Sequence, residues 1–294
     1  MRKISKLKYD RIGFLFILPN YLIYLTFILV PVIWAIYFSF TDYHLVKAPV
    51  FIGLDNYVSL IRDPDFLRAL SNTFVYWIFT VSISMALGLI LAVTLNQNLR
   101  GVAIFRAAYY LPNVLSMVAV AMMWLWIYDP AKGILNTLLD MLGLTRSDWL
   151  FDQHIAMACV IVPSIWALLG FNMVIYLAGL QNIPAQLYEA AVMDGASGSR
   201  RFFMITIPML RPISFFLFVM SSIKAFQVFD QIYVMTRGGP VKATTTIAYE
   251  IYEEGFTHFK MGYASAMSVI LLVIVAVITF ANFTYGREGY GEQL

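Results

Sequence analysis

Few residues of this chain could do chemistry, and the most telling ones sit in apolar surroundings. Lys224 and Asp230 interrupt a stretch from about Pro212 to Tyr233 that is otherwise free of charge. An ionisable side chain at membrane depth is costly, so each is a candidate for a solute pathway or for pairing. Ser221, Lys224, Gln227 or Val228, and Gln231 recur at three- and four-residue spacing, which places them on one helix face. On an unbroken helix Lys224 and Asp230 point about 120° apart, which disfavours a pair between them. Lys224 then lines a pathway, snorkels to the outer surface or pairs with an acid of another chain. His44, His154 and His258 fall in separate loops or span ends without ligand spacing, so no metal site is expected. The chain has no Gly-x-x-x-x-Gly-Lys-Ser/Thr loop and cannot hold ATP in that manner. No Ser/His, paired-Asp or His-cluster arrangement within the apolar stretches supports an intramembrane enzyme.

The elements that carry these residues follow from composition. Of 294 residues, 61% are hydrophobic and 13% charged, more apolar surface than a soluble domain of this length can hide. Asp, Glu, Lys and Arg are absent from Arg11 to Asp42, Arg68 to Arg100, Arg106 to Asp129, Asp152 to Glu189 and Lys260 to Arg287. Each gap exceeds the roughly 20 residues a helix needs to cross a bilayer. With the Pro212–Tyr233 stretch this predicts an all-α polytopic membrane protein of six spans, near 13–38, 73–95, 108–128, 155–180, 212–233 and 262–284. Barrel strands would instead alternate polar and apolar positions. The lone Cys159 allows no internal disulfide. A net charge of +3, dispersed along the chain, gives no reason to expect nucleic acid.

Orientation follows from the basic residues. Arg2, Lys3, Lys6, Lys8 and Arg11 precede the first span, whose apolar run is too long for a cleaved signal peptide. This predicts a cytoplasmic N-terminus and, with six spans, a cytoplasmic C-terminus. The segments then placed inside carry 11 Lys and Arg residues, Arg100, Arg106 and Arg287 among them, against 8 outside.

The inside segment 181–211 stands out. Pro184 precedes a good helix start, Gly195 and Gly198 interrupt it beside Asp194 and Ser197, and a second short helix with Arg200, Phe202, Phe203 and Ile205 is expected to end before Pro208. Such a helix-turn-helix could rest in lipid or enter a protein groove; both need an apolar and a polar face.

The pattern Glu189-Ala190-Ala191, three residues, Gly195, nine residues, Ile205, one residue, Ile207-Pro208 resembles the signature of binding-protein-dependent ABC importer permeases. Ile207 stands where that family usually has Leu. Phe14-Leu-Phe-Ile-Leu-Pro19, Ser39-Phe-Thr-Asp42, Gly53-Leu-Asp-Asn-Tyr57, Leu111-Pro112, Trp166, Asp194-Gly-Ala-Ser197 and Thr236-Arg-Gly-Gly-Pro240 look like its sugar-permease branch. The Gly-Gly-Pro is similar to that of the first permease in maltose-type and glycerol-phosphate-type systems.

The resemblance implies a type I importer permease fold, with residues 1–294 as a single transmembrane domain in a bacterial cytoplasmic membrane. It implies a second related permease, two ATP-binding subunits that carry the ATP and magnesium, an external binding protein and a sugar or oligosaccharide substrate. Residues 181–211 would be the ATPase-coupling segment. Glu189 would be its charged anchor, Ala190, Ala191 and Asp194 part of the motif, Gly195 its turn and Phe202, Phe203 and Ile205 its apolar contacts, ahead of Pro208. For the pathway the resemblance agrees with the fifth-span face and adds Asn113 and Phe171, with Asn172 a polar neighbour. For Asn113 and Phe171, pathway lining and plain helix packing stay equally open. The outer loop from Tyr233 to Lys260 is expected either to touch a partner or to be a solvated connection. A stand-alone secondary transporter is the rival reading; it would call for internal repeats and buried ionisable pairs.

Overall fold

The computed structural model describes the backbone of residues 2–97 and 101–287 and the side chains of residues 13–97 and 101–284. Arg100, and the side chains of Arg2, Lys3, Lys6, Lys8, Arg11 and Arg287, on which the orientation reading rests, lie outside the described residues. The fold is helical, apart from one two-stranded ribbon among the described residues. Its internal contacts divide it into two units, Met1–Arg62 with Ile251–Ile270, and Asp63–Glu250 with Leu271–Leu294.

In the first unit, α1 (Arg2–Tyr24) passes through a π-turn at Leu25–Leu29 into α2 (Val30–Ser39). Almost none of the Gly13–Ser39 span is covered by the chain itself. Lipid is the natural solvent for a helix that is apolar all round. A hairpin of β1 (Thr41–Asp42) and β2 (Val50–Phe51) follows, then α3 (Asp55–Arg62). Two motifs noted in the sequence close on each other here. The buried Asn56 amide donates to the Ser39 and Thr41 carbonyls at 2.9 Å each, and the Tyr57 hydroxyl donates to Ser39 Oγ at 2.7 Å. The carbonyls freed at the end of α2 thereby gain partners.

In the second unit, α4 (Pro64–Leu95) starts nine residues before the predicted span. Asp63 caps it by accepting from Asp65 N at 2.9 Å, and Pro64 needs no N–H partner in the first turn. The main packing partner of α4 is α8 (Ala156–Gln181), the most enclosed of the spans. Ser84, Gly88 and Ala92, one turn apart and buried, let the two backbones approach. A Cβ on Gly88 would lie 2.7 Å from Asn172 Cβ.

The third span is not the straight helix expected over 108–128. It is α5 (Val102–Val114) and α6 (Met117–Ile127), bent by 100° at Leu115–Ser116. Hydropathy records that both halves are apolar but says nothing of direction. The break follows Pro112, which lacks a backbone N–H, and uses Ser116 as the residue before the new helix. α5 is locked to α8 by Gly170, where a Cβ would sit 2.0 Å from the Tyr109 carbonyl oxygen.

The segment between the third and fourth spans carries α7 (Ile134–Met141). Beyond α8 come α9 (Ala185–Met193), α10 (Gly198–Arg201), a π-turn at Phe202–Thr206, and α11 (Ile207–Met209). The predicted second helix was to stop before Pro208. Instead it continues through it, because the π-turn ends there and proline is tolerated at a first helical position.

The fifth span is also broken: α12 (Arg211–Phe226) and α13 (Asp230–Met235) are separated by Gln227–Phe229. α14 (Ile247–Tyr252) precedes α15 (Met261–Arg287), the last span. Five helical spans pass the length and apolarity test, or six with the bent pair as one.

Gly170→Ala should destabilise the protein by about 1–3 kcal/mol or more, since the obstructing atom is backbone and cannot rotate away. A lowered melting temperature in detergent is expected, with Gly13→Ala, which meets nothing within 4 Å, unchanged.

Candidate functional site

Two helix breaks meet at one cavity. Leu115 and Met117 from the break in the third span, and Gln227, Val228 and Phe229 from the break in the fifth, line a space of about 320 Å³. Asn113 and Lys224, two of the residues expected on a pathway, also line it. Asp230 lines it too. Among the described residues no ion pair joins Lys224 and Asp230. The Lys224 ammonium instead lies over the Phe171 ring, 4.6 Å from its centroid.

One wall of the cavity is a hydrogen-bonded chain that sequence reasoning did not find as a unit. Tyr76 Oη donates to Ser164 Oγ at 2.7 Å, and Gln231 Nε2 donates to the same oxygen at 3.1 Å. Tyr76, Ser164 and Gln231 all line the cavity. Tyr76 and Ser164 look unremarkable in sequence, because their partners across the bundle are 88 and 67 residues away.

Three residues expected on the pathway do not line the cavity: Phe171, which lies under Lys224, and Asn172 and Ser221. Asn172 is fully buried between helices, where its amide donates to Ser84 Oγ at 3.1 Å and its Oδ1 accepts from Ser221 Oγ at 3.4 Å. Asn172 and Ser221 therefore join α4, α8 and α12 and do not face the cavity. Val228 lines the cavity although little of it is exposed.

The break in the fifth span is held from the loop that follows it. Thr246 Oγ1 donates to the Val228 carbonyl at 3.1 Å, giving a partner to a group the helix no longer satisfies. The three threonines Thr244–Thr246 are buried, and Thr244 and Thr245 donate to the Gly239 and Gly238 carbonyls. The same loop is tied to α4. Arg68 donates to the Val241 carbonyl, and the Asn72 amide donates to those of Lys242 and Thr245. Lys242 Nζ meets Asp65 at 2.9 Å and Glu250 at 3.4 Å. Partial burial works against the Lys242 charge, but these two carboxylates hold its pKa above the ordinary lysine value. Residues 238–246 of the loop are thus braced against α4 and the fifth-span break from within.

The segment 181–211 is likewise attached from within. Tyr188 Oη and Thr206 Oγ1 share a 2.9 Å hydrogen bond across the turn. Tyr188 and Ile205 pack against a buried cluster that includes Leu177, Leu180, Ile183 and Leu210. Ile205, expected to be offered outward, is thereby largely used by the chain's own core. At the turn Gly195 has φ +73°, a left-handed conformation that favours glycine. Glu189, Ala190, Asp194 and Phe203 are exposed; Ala191, Phe202 and Pro208 are half-buried. Val192, Met193 and Met204 are exposed as well, which spacing did not single out.

Helices apolar and long enough to cross a membrane, two of them broken beside one cavity, are the parts of a membrane permease. The chain belongs to the family described as binding-protein-dependent transport system inner membrane component, which it matches over residues 84–286. It is 40% identical over 279 residues to a probable ABC transporter permease protein of Pyrococcus horikoshii, covering 93% of this chain and 96% of that one. It is 37% identical over 270 residues to UgpA, an sn-glycerol-3-phosphate transport system permease protein of Brucella abortus, covering 91% and 92%. Its fold matches a chain of a bacterial ABC transporter involved in import of the acidic polysaccharide alginate. There the TM-score is 0.86 at 26% identity, over 98% of this chain and 99% of that chain. This chain is accordingly an ABC importer permease and not an ATPase subunit.

Thr246→Val removes the hydroxyl and leaves the Val228 carbonyl without it. A loss of about 1–2 kcal/mol is expected, read as a lower melting temperature, with Thr246→Ser close to the parent.

Proposed function

We propose that the chain is the permease subunit of an ATP-driven carbohydrate importer, with the 320 Å³ cavity on the solute path and residues 181–211 as the surface that receives the ATPase. A second, related permease completes the path and an extracytoplasmic binding protein delivers the solute. Both termini face the cytoplasm, in line with the basic residues before the first span.

The observation that carries this reading is the α9–turn–α10 segment. It presents Glu189, Met193, Phe203 and Met204 outward while Tyr188, Ile205 and Thr206 fasten it to the cluster beneath α8 and α12. A surface meant only to rest in lipid needs no such attachment. A surface that transmits motion does, because displacement applied at its face must reach the spans. In this arrangement Glu189 offers a charge to the partner, and the left-handed Gly195 keeps the two short helices at their angle.

For the solute, the cavity lining combines amides, a hydroxyl chain and aromatic rings, a set suited to polyhydroxylated molecules. Two relatives bear on the class: the UgpA proteins are named for a phosphorylated polyol, and the structural neighbour for a polysaccharide.

Glu189→Arg and Gly195→Pro, tested in the assembled transporter, should each cut solute uptake at least tenfold while leaving membrane insertion and basal ATP hydrolysis in place. Proline cannot adopt a positive φ, so the second change alters the turn itself. Uptake at the parental rate by both variants refutes the coupling assignment.

A further inference from the structure

Lys224 and Asp230 are the charged pair that the proposed pathway does not yet explain. Both line one cavity, both fall within the apolar stretch Arg211–Met235, and neither makes an ion pair among the described residues. They stand at the two ends of a three-residue break, Lys224 in the last turn of α12 and Asp230 in the first turn of α13. The C-terminal end of the 16-residue α12 suits the cation that Lys224 carries. The Phe171 ring beneath the Lys224 ammonium adds to this, holding the cation 4.6 Å from its centroid and away from the carboxylate. The two charges are therefore fixed apart by the fold, with the amides of Gln227 and Asn113 opening onto the same space.

We infer that this cavity is a dipolar, net-neutral site that selects uncharged polyhydroxylated solutes. The inference rests on the proposed pathway and adds the substrate class. A hydroxyl is both donor and acceptor, so neighbouring hydroxyls of one sugar answer both ends of the site: one accepts from the Lys224 ammonium, another donates to the Asp230 carboxylate. Both charges are then satisfied without neutralising each other. A sugar acid or sugar phosphate would gain at Lys224 and lose at Asp230, so its charge earns no preference. This separates the expected cargo from the anionic solutes named for the relatives above.

The experiment reads the potential inside the cavity directly. Gln227→Cys is placed in a Cys159→Ala background of the full chain. Its reaction rates with the anionic ethylsulfonate and the cationic trimethylammonium methanethiosulfonates are measured in membrane vesicles of both orientations. Rates are normalised to a free thiol. The expected anion-to-cation ratio is near one. Adding Lys224→Met should lower it roughly fivefold, and adding Asp230→Asn should raise it roughly fivefold, the effect of one nearby unit charge in a wet cleft. An anion preference above about tenfold in the parent, or no response to Asp230→Asn, overturns the inference. No reaction with either reagent from either side refutes the pathway reading itself, which distinguishes the two failures. In the assembled transporter with its binding protein, maltotriose and trigalacturonate serve as competing probes. Inhibition of uptake by trigalacturonate alone would also overturn the neutral-solute assignment.

Discussion

The constraint on which everything else depends is that lipid offers no hydrogen bonds. Every backbone N–H and C=O within the membrane must find its partner inside the protein. A continuous helix meets that demand by itself. A broken one does not, so a break survives only where other groups complete it or where it borders a wet space. Both breaks here obey this rule. Leu115–Ser116 and Gln227–Phe229 open onto the same cavity, and the Val228 carbonyl is completed by Thr246 from outside the span. The cavity and the breaks are thus one feature described twice.

From this follows the division of labour among the polar residues of the spans. Some exist to join helices: Asn172 links Ser84 and Ser221, and Tyr176 links to Ser214. Others exist to face the cavity: Asn113, Lys224, Gln227 and Asp230. Residue type does not separate the groups. An asparagine one position from Phe171 is structural, while an asparagine beside Pro112 meets the open space.

This explains what could be read in the sequence and what could not. Six spans were legible because uncharged runs of sufficient length have one physical meaning. The turn at Gly195 was legible because few residues tolerate its backbone. The 100° bend at Leu115–Ser116 was not, since hydropathy is blind to direction, and Pro112 also sits comfortably within helices. The break at Gln227–Phe229 was hidden by the assumption of a regular helix there. The brace made by Arg68, Asn72 and Thr244–Thr246 was hidden because its two halves lie about 170 residues apart. Ile205 misled for a related reason: an apolar side chain in a surface segment can point either way, and only the cluster beneath it decides.

The contact at Gly170 has a consequence for movement. There a backbone carbonyl of α5 rests where a side chain of α8 would begin, with 2.0 Å between the oxygen and an added Cβ. Contacts between side chains can slide, because rotamers change as surfaces shear. A carbonyl seated against a bare Cα has no rotamer to change. α5 and α8 are therefore joined backbone to backbone, and a slide of one along the other would first have to lift that carbonyl off the Cα.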